Sequence, residues 1–212
     1  MKPVYFHLNR TKEVRYLVER FHYSGTMPAN TVFCGSWHHG GGLFGDYGPI
    51  VAACVIGIPA CQWKEDIVEL SRLVRIDGAM LPPLSGLISK TVRWCYRPSR
   101  SRNLIVSYAD KQMDHFGGVY QASSWHFAAL RGPQELGIYV YGQQMHGRTA
   151  VERYGTRSVP KLRQILGTDD VHPHVDEGKY LYWKAMNKSG RAKAKRLDLQ
   201  SLPYPKPDVV AA

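Results

Sequence analysis

Apolar residues recur along the chain at two different spacings, which predict helices in some segments and strands in others. Within residues 11–21 they repeat at helical spacing. Residues 50–58 form a short apolar run rich in β-branched side chains, which is typical of a central strand. Residues 67–76 alternate, so we expect a strand with Glu69 and Ser71 on one face.

The rest of the chain continues this mixture of helix and strand. Pro82 and Pro83 favour the start of a helix, and the apolar residues that follow them lie along one stripe. This order predicts an α/β domain over residues 1–183, with a mixed sheet and crossover helices packed against it. The other expected elements are a strand at 31–34, a helix at 84–96, a strand at 104–108, a short helix at 119–124, strands at 127–130 and 138–141, one or two helices within 149–166 and an edge strand at 180–183.

The composition of the chain indicates which partners and which cellular compartment to expect. Its 212 residues carry a net charge of +11, which gives the surface a field that attracts phosphate or anionic membranes. No apolar run reaches about 18 residues, and the N-terminus lacks the apolar stretch of a signal peptide. We therefore expect a cytosolic protein, with reduced, packed thiols at four cysteines that include no Cys-x-x-Cys pair.

The C-terminal segment, residues 184–212, is basic and ends in a proline-containing tail. Its cations alternate with Ala and Gly, a composition that predicts a flexible arm able to neutralise DNA phosphates. A solvated tail without a binding role is the alternative. The candidate phosphate contacts are Lys184, Lys188, Arg191, Lys193, Lys195 and Arg196.

Several short motifs occur in a characteristic order. They are Glu-Leu-Ser-Arg-Leu at 69–73, Ser-Tyr-Ala-Asp at 107–110, and Gly-Val-Tyr-Gln-Ala-Ser-Ser-Trp at 118–125, with His-Tyr-Ser at 22–24 and His-Gly-Arg-Thr at 146–149 on either side. In this order and spacing they make the chain resemble the Mom family of phage DNA-modification proteins.

The resemblance implies a function and a fold. Mom proteins convert adenine in DNA to N6-carbamoylmethyladenine and so protect phage DNA from host restriction. We therefore expect a transferase that modifies the N6 amine of adenine, with double-stranded DNA as its partner, in the cytoplasm of a host bacterium. The fold of the family is similar to that of the GCN5-related N-acyltransferases.

The likeness to those acyltransferases is uneven along the chain. Tyr120 stands five residues before Trp125, which resembles their Tyr-x-x-x-Gly-Phe pattern with Ser124 in place of the glycine. Their acyl-CoA pyrophosphate loop is expected near residues 79–88, where this sequence does not match the glycine pattern. A helix N-terminus at that place can still bind a phosphate through its free N–H groups.

The chemistry that the resemblance implies needs proton transfer and a pocket for a flipped base. Asp110 is the candidate acceptor of the N6 proton or a metal ligand, and Tyr120 is the candidate proton donor to the leaving group. Ser107 and Glu69 complete the catalytic candidates. The candidates for contacting the substrate are His22, Tyr23, Ser24, Ser71, Arg72, Tyr108, Trp125, His146 and Arg148.

The catalytic candidates also have structural interpretations. Asp110 can cap a turn, and Tyr120 can be a half-buried aromatic residue. Ser107 can end a strand without any further role, and Glu69 can form a structural ion pair with Arg72.

The donor and the reaction class leave alternatives open. A carbamoylmethyl group joins N6 through a methylene carbon, whereas acyl transfer would form an amide. Acetyl-CoA and glycyl-tRNA are both candidate donors. Iron is compatible with such chemistry, although the sequence has no compact 2-His-1-carboxylate motif. The competing functions are an N-acyltransferase acting on a small amine or protein, and a DNA-binding module without catalysis.

Overall fold

A computed structural model describes residues 4–40, 48–60, 63–76, 81–97, 101–132, 135–175 and 177–206, apart from the side chains of residues 135, 136, 146 and 148. The chain divides into two compact units. The first comprises Met1–Ala109, Phe116–Ala129 and Leu181–Ala212, and the second comprises Asp110–His115 and Leu130–Tyr180. Within the described ranges, no helix combines the length and the apolar character needed to cross a membrane.

Helices and strands alternate much as the apolar spacing predicts. The predicted helices at 11–21 and 84–96 are both present with those bounds, whereas β1, β8, β9 and α6 were not expected. In chain order the elements are β1 (Val4–Asn9), α1 (Thr11–Phe21), β2 (Thr31–His39), β3 (Ile50–Gly57), β4 (Val68–Arg75), α2 (Leu84–Tyr96), β5 (Leu104–Asp110), α3 (Gly118–Gln121), β6 (His126–Arg131), β7 (Glu135–Val140), β8 (Gln143–His146), α4 (Gly147–Tyr154), α5 (Val159–Leu166), β9 (Val171–Val175), β10 (Lys179–Ala185) and α6 (Lys188–Arg196).

A seven-stranded sheet forms the centre of the first unit, in the order β1-β2-β3-β4-β5-β10-β6. Strands β1 to β4 are antiparallel neighbours, and β4 pairs in parallel with β5, so the predicted mixed sheet is confirmed. The prediction of an edge strand at 180–183 was wrong, because β10 lies between β5 and β6. Its residues Tyr180–Trp183 are all buried, as an interior strand requires.

Helices α1 and α2 cover opposite faces of this sheet. The apolar stripe of α1 packs against a group of buried residues that includes Cys34 of β2. On the other face, a side chain on Gly35 would lie 2.2 Å from Thr91 Oγ1 of α2. Because successive strand residues point to opposite faces, Cys34 and Gly35 assign the two helices to opposite sides.

The segment after residue 187 is an ordered helix, which differs from the flexible arm that composition predicts. The side chain of Asn187 accepts a hydrogen bond from Gly190 N at 2.8 Å and so caps α6. Gly190 and Ala194 lie one turn apart on the buried face, and a side chain on Gly190 would meet Asn103 O at 2.1 Å. These residues let a strongly basic helix pack closely against the sheet, because their face of the helix carries neither a bulky nor a charged side chain.

The second unit has its own sheet and core. Its three strands are antiparallel in the order β8-β7-β9. The prediction of one or two helices within 149–166 is confirmed by α4 and α5, although α4 begins two residues earlier, at Gly147. They pack on the sheet through an apolar cluster made of Ile138, Val140, Ala150, Leu162 and Val171.

Candidate active site

The parallel strands β4 and β5 pair over only part of their length. Their ladder begins at Val68 and Ile105 and ends at Leu70 and Ser107, within the residues that the structure describes. Both strands continue beyond this point, β4 to Arg75 and β5 to the end of the strand at residue 110. The strands therefore diverge, and we call the place where they part, Leu70 and Ser107, the fork.

A buried pair of hydroxyl groups lies at the fork. Ser107 Oγ is 2.7 Å from Leu70 O and 2.8 Å from Tyr120 Oη. Ser107 is fully buried, and Tyr120 is only 7% exposed. A serine has one hydroxyl proton, so it can donate to only one of these oxygens at a time. When Ser107 donates to Tyr120 Oη, the phenol proton is available to a third group.

The surroundings of Tyr120 keep its phenol protonated. Its ring centroid lies 5.3 Å from that of Trp125 and 5.1 Å from that of Tyr182. Burial raises the pKa of the Tyr120 phenol well above its ordinary value, against the smaller opposing effect of the hydrogen bond from Ser107. At neutral pH the phenol is therefore a proton donor and not a phenolate.

Tyr182 and Gly117 support Tyr120, and sequence reasoning missed both. Tyr182 Oη donates a hydrogen bond to Phe116 O at 2.6 Å. Gly117 has φ of 75°, and a side chain there would lie 2.3 Å from the Tyr182 ring. Only glycine combines this backbone conformation with room for the ring. The signal in the sequence is the glycine pair Gly117-Gly118, which otherwise indicates only a loop.

A β-bulge interrupts β4 just after the fork. Leu70 and Arg72 pair with consecutive residues of β3, which leaves Ser71 as the extra residue. Ser71 Oγ donates to Glu69 O at 3.3 Å. The sequence motif at 69–73 thus coincides with a change in side-chain direction on the strand that borders the fork.

Arg72 ties the segment after α1 to this strand. Its Nε donates to Thr26 O at 2.9 Å, and its Nη1 donates to Ser71 O at 2.7 Å. Burial lowers the pKa of Arg72, while Tyr23 and Glu69 raise it, so both side chains act electrostatically on the guanidinium. Arg72 stays charged. Sequence reasoning missed Thr26, because the atom that accepts this hydrogen bond is a backbone carbonyl oxygen, which every residue type has.

The residues at 22–24 form a compact local group. The rings of His22 and Tyr23 stack with centroids 4.4 Å apart. Ser24 N donates to His22 Nδ1 at 3.1 Å, and Ser24 Oγ lies 2.9 Å from the same atom. Tyr23 is 50% exposed and so presents part of an aromatic ring to solvent.

Two residues that were predicted to contact the base, Trp125 and Tyr108, pack against the protein core instead. Trp125 is fully buried and packs on Tyr120, which conflicts with the prediction that it contacts a base. Tyr108 is half-buried and packs against the apolar cluster that includes Leu104 and Val106. The side chains of two further candidates, His146 and Arg148, lie outside the described part of the structure.

Asp110 belongs to the second unit and makes structural contacts there. It precedes a 3-10 turn at Lys111–Met113, and its side chain accepts a hydrogen bond from Gln112 N at 3.1 Å. Its carboxylate also lies 3.4 Å from Lys179 Nζ. These contacts match the interpretation of Asp110 as a turn cap, and its role as a base stays a prediction.

The six basic candidates of the C-terminal segment fall into two sets. Lys188, Arg191 and Lys195 are exposed on α6. The other three make contacts within the first unit: Lys184 Nζ donates to Ser123 O at 2.5 Å, Lys193 Nζ to Asp66 O at 2.7 Å, and Arg196 pairs with Glu65.

The start of helix α2 is a candidate place for a phosphate-bearing cofactor. Helix α2 begins with Leu84 after Pro83 and has no side-chain cap. Gly86 N donates to Pro83 O at 2.9 Å, so the backbone N–H groups of Leu84 and Ser85 are the ones that point to a phosphate at this end. A side chain on Gly86 would meet only Trp37, at 3.9 Å. For metals, the described residues contain no group of three His, Cys, Asp or Glu side chains able to hold an ion.

Comparison with solved structures defines the fold as that of an acetyltransferase. A Bacillus subtilis acetyltransferase, solved in complex with CoA, matches with a TM-score of 0.50 and 9% identity, covering 87% of this chain and 100% of its own. The acetyltransferase yncA from Salmonella typhimurium, with its cofactor acetyl-CoA, matches with a TM-score of 0.50 and 7% identity, covering 88% and 95%. A family model described as the Mom protein family matches residues 4–206. The chain therefore belongs to the Mom protein family. A search of curated proteins finds no match.

Proposed function

We propose that this protein is a DNA-modifying transferase that converts adenine to N6-carbamoylmethyladenine and so protects phage DNA from host restriction. The observation that carries the proposal is the Ser107–Tyr120 pair at the fork, in a chain that belongs to the Mom protein family. The acetyltransferase-like fold supports group transfer to an amine, and the pair lies where the parallel strands β4 and β5 part.

Tyr120 acts as the proton donor to the leaving group. Its buried phenol holds its proton at neutral pH, because burial raises its pKa. Ser107 acts as a positioning residue by donating to Tyr120 Oη, which directs the phenol proton away from the serine. A phenol that stays neutral until the leaving group develops negative charge suits this role.

A carboxylate must accept the proton that N6 loses when its new bond to carbon forms. Glu69 is the better candidate in the first unit, because it lies on β4 directly before the fork residue Leu70 and is only partly buried. Asp110 remains the second candidate, although Gln112 N and Lys179 already contact its carboxylate.

The target adenine has to leave the duplex stack before N6 can react. The half-exposed ring of Tyr23, stacked on His22, gives a surface for the flipped base. Arg72 holds the following loop in place through Thr26 O. The exposed cations Lys188, Arg191 and Lys195 supply contacts to DNA phosphates, which makes binding dependent on salt.

The donor must supply more than an acetyl group, because direct acyl transfer to N6 would form an amide. Acetyl-CoA and glycyl-tRNA are the candidates. The N-terminus of α2, which has no side-chain cap, can bind a phosphate of either donor through the N–H groups of Leu84 and Ser85. A glycyl ester contains both carbons and the nitrogen of the carbamoylmethyl group: N6 attacks its carbonyl carbon, the ribose oxygen of the tRNA leaves with a proton, and a rearrangement without net oxidation gives the N6–CH2 bond. Acetyl-CoA lacks that nitrogen, and it would need a nitrogen source and an oxidant to form the same bond.

Nucleoside mass spectrometry of plasmid DNA from expressing cells tests the proposed function. We expect an adenine nucleoside heavier by one carbamoylmethyl group. Unchanged nucleosides from cells with abundant folded protein would overturn the proposal. An ordinary N-acyltransferase, which the fold also supports, would instead give acetylated amine or protein products and leave the DNA unmodified.

A further inference from the structure

The outer face of α1 carries large aromatic side chains that the core does not use. Tyr16 is 66% exposed and Phe21 is 42% exposed, although α1 buries Val14, Leu17 and Val18 against the sheet. Exposed apolar residues that adjoin one another, unlike scattered single ones, are typical of interaction sites.

A cation lies between these aromatic rings. The Arg20 guanidinium is 5.9 Å from the ring centroid of Tyr16 and 5.7 Å from that of Phe21. Within the described residues no carboxylate comes within ion-pair distance of Arg20, whereas Arg15 on the same helix pairs with Glu19 at 2.9 Å. The Tyr16, Arg20 and Phe21 group, which we call the α1 patch, therefore combines two rings with an uncompensated positive charge.

The α1 patch continues into the proposed active site along the chain. Phe21 is followed directly by the stacked rings of His22 and Tyr23. A few residues further, Thr26 O accepts the hydrogen bond from Arg72 that anchors this segment to β4 beside the fork. The patch is therefore joined by this short anchored segment to the strand that borders the fork.

We propose that the α1 patch docks unpaired DNA next to the flipped adenine, with its rings stacking on bases and Arg20 contacting a phosphate. The inference rests on the proposed function and identifies the surface that holds the distorted strand. Aromatic rings interleaved with cations bind single strands because every base has a face to stack on and every nucleotide carries a charge. Within an intact duplex the base faces are covered, so the rings are useful only where the strand is opened.

The test measures how the full-length protein binds a fluorescein-labelled oligonucleotide of mixed sequence, as a single strand and as its perfect duplex. We expect Tyr16→Ala and Arg20→Ala each to weaken single-strand binding about five- to hundredfold, and duplex binding much less. Arg15→Ala is the matched control, because it also removes one exposed cation from α1. We expect it to change affinity less than about twofold. Circular dichroism of each variant checks that the helix remains folded.

Several outcomes would overturn the inference. Tyr16→Ala binding the single strand as tightly as the wild type would overturn it. An equal loss of affinity for the single strand and for the duplex would also overturn it, because that result indicates that the patch contributes charge alone. Displacement of the oligonucleotide by polyglutamate as effectively as by DNA would point to an acidic protein instead. The inference and the proposed function can fail separately. If plasmid adenine is modified but all three variants bind the oligonucleotide equally well, only the docking surface is refuted. If plasmid adenine is unmodified but Tyr16→Ala weakens binding, only the proposed function is refuted.

Discussion

Removing the Ser107 hydroxyl should destabilise the protein more than removing its phenol partner. In the arrangement in which Ser107 donates to Leu70 O and Tyr120 Oη donates to Ser107 Oγ, Ser107→Ala breaks the bond to Leu70 O and leaves the buried phenol without an acceptor. A lost hydrogen bond plus a buried orphan donor costs about 2–3 kcal/mol. Tyr120→Phe removes the phenol instead, and Ser107 can still donate to Leu70 O, so we expect a cost of about 1 kcal/mol.

The double variant makes this reasoning falsifiable. In Ser107→Ala/Tyr120→Phe no orphan phenol remains, so we expect a total cost of about 2 kcal/mol, below the sum of the single variants. Urea unfolding of the four proteins, followed by circular dichroism, gives the free energies of unfolding. Single-variant costs that add without coupling would show that Ser107 and Tyr120 do not depend on each other, and would refute the interpretation of the pair.

Three further predictions address other parts of the chain. Gly117→Ala should cost at least about 2 kcal/mol in urea unfolding, because of its positive φ and the clash with Tyr182, whereas Gly118→Ala, with open space around it, should be neutral or stabilising. Asp110→Asn should keep adenine modification if the residue only caps a turn, and a complete loss in the nucleoside assay would identify it as the base. A tyrosine in the unfolded chain loses its proton near pH 10, whereas buried Tyr120 keeps it in the folded protein. The free energy of unfolding should therefore fall above about pH 10, by up to about 1.4 kcal/mol per pH unit. In Tyr120→Phe the free energy of unfolding should fall less steeply with pH.

Local spacing predicts the helices well because a helix is defined by residues close in sequence. The apolar stripes of α1 and α2 determine both their type and their bounds. The place of β10 in the sheet depends on pairing with strands far away in sequence, so its apolar run at 180–183 did not reveal an interior position. Composition also predicted a flexible arm where the structure has helix α6. The small residues that permit the helix to pack, Gly190 and Ala194, are also typical of a flexible arm.

The candidate site was only partly predictable. The family resemblance singled out Ser107 and Tyr120, which the structure brings within 2.8 Å. It could not reveal that Trp125 is fully buried, because an aromatic residue looks the same in a pocket and in a core. The anchor from Arg72 to Thr26 O involves a backbone atom, which no residue pattern encodes.

The central claim is that adenine in DNA is modified at the Ser107–Tyr120 pair. Its most direct test compares nucleosides from plasmid DNA of cells that express equal amounts of folded wild-type protein and Tyr120→Phe, with Lys64→Ala, an exposed cation outside the site, as the control. The account predicts carbamoylmethylated adenine with the wild type and the control, and a drop of at least about a hundredfold with Tyr120→Phe. Equal levels of modified adenine in all three would contradict it.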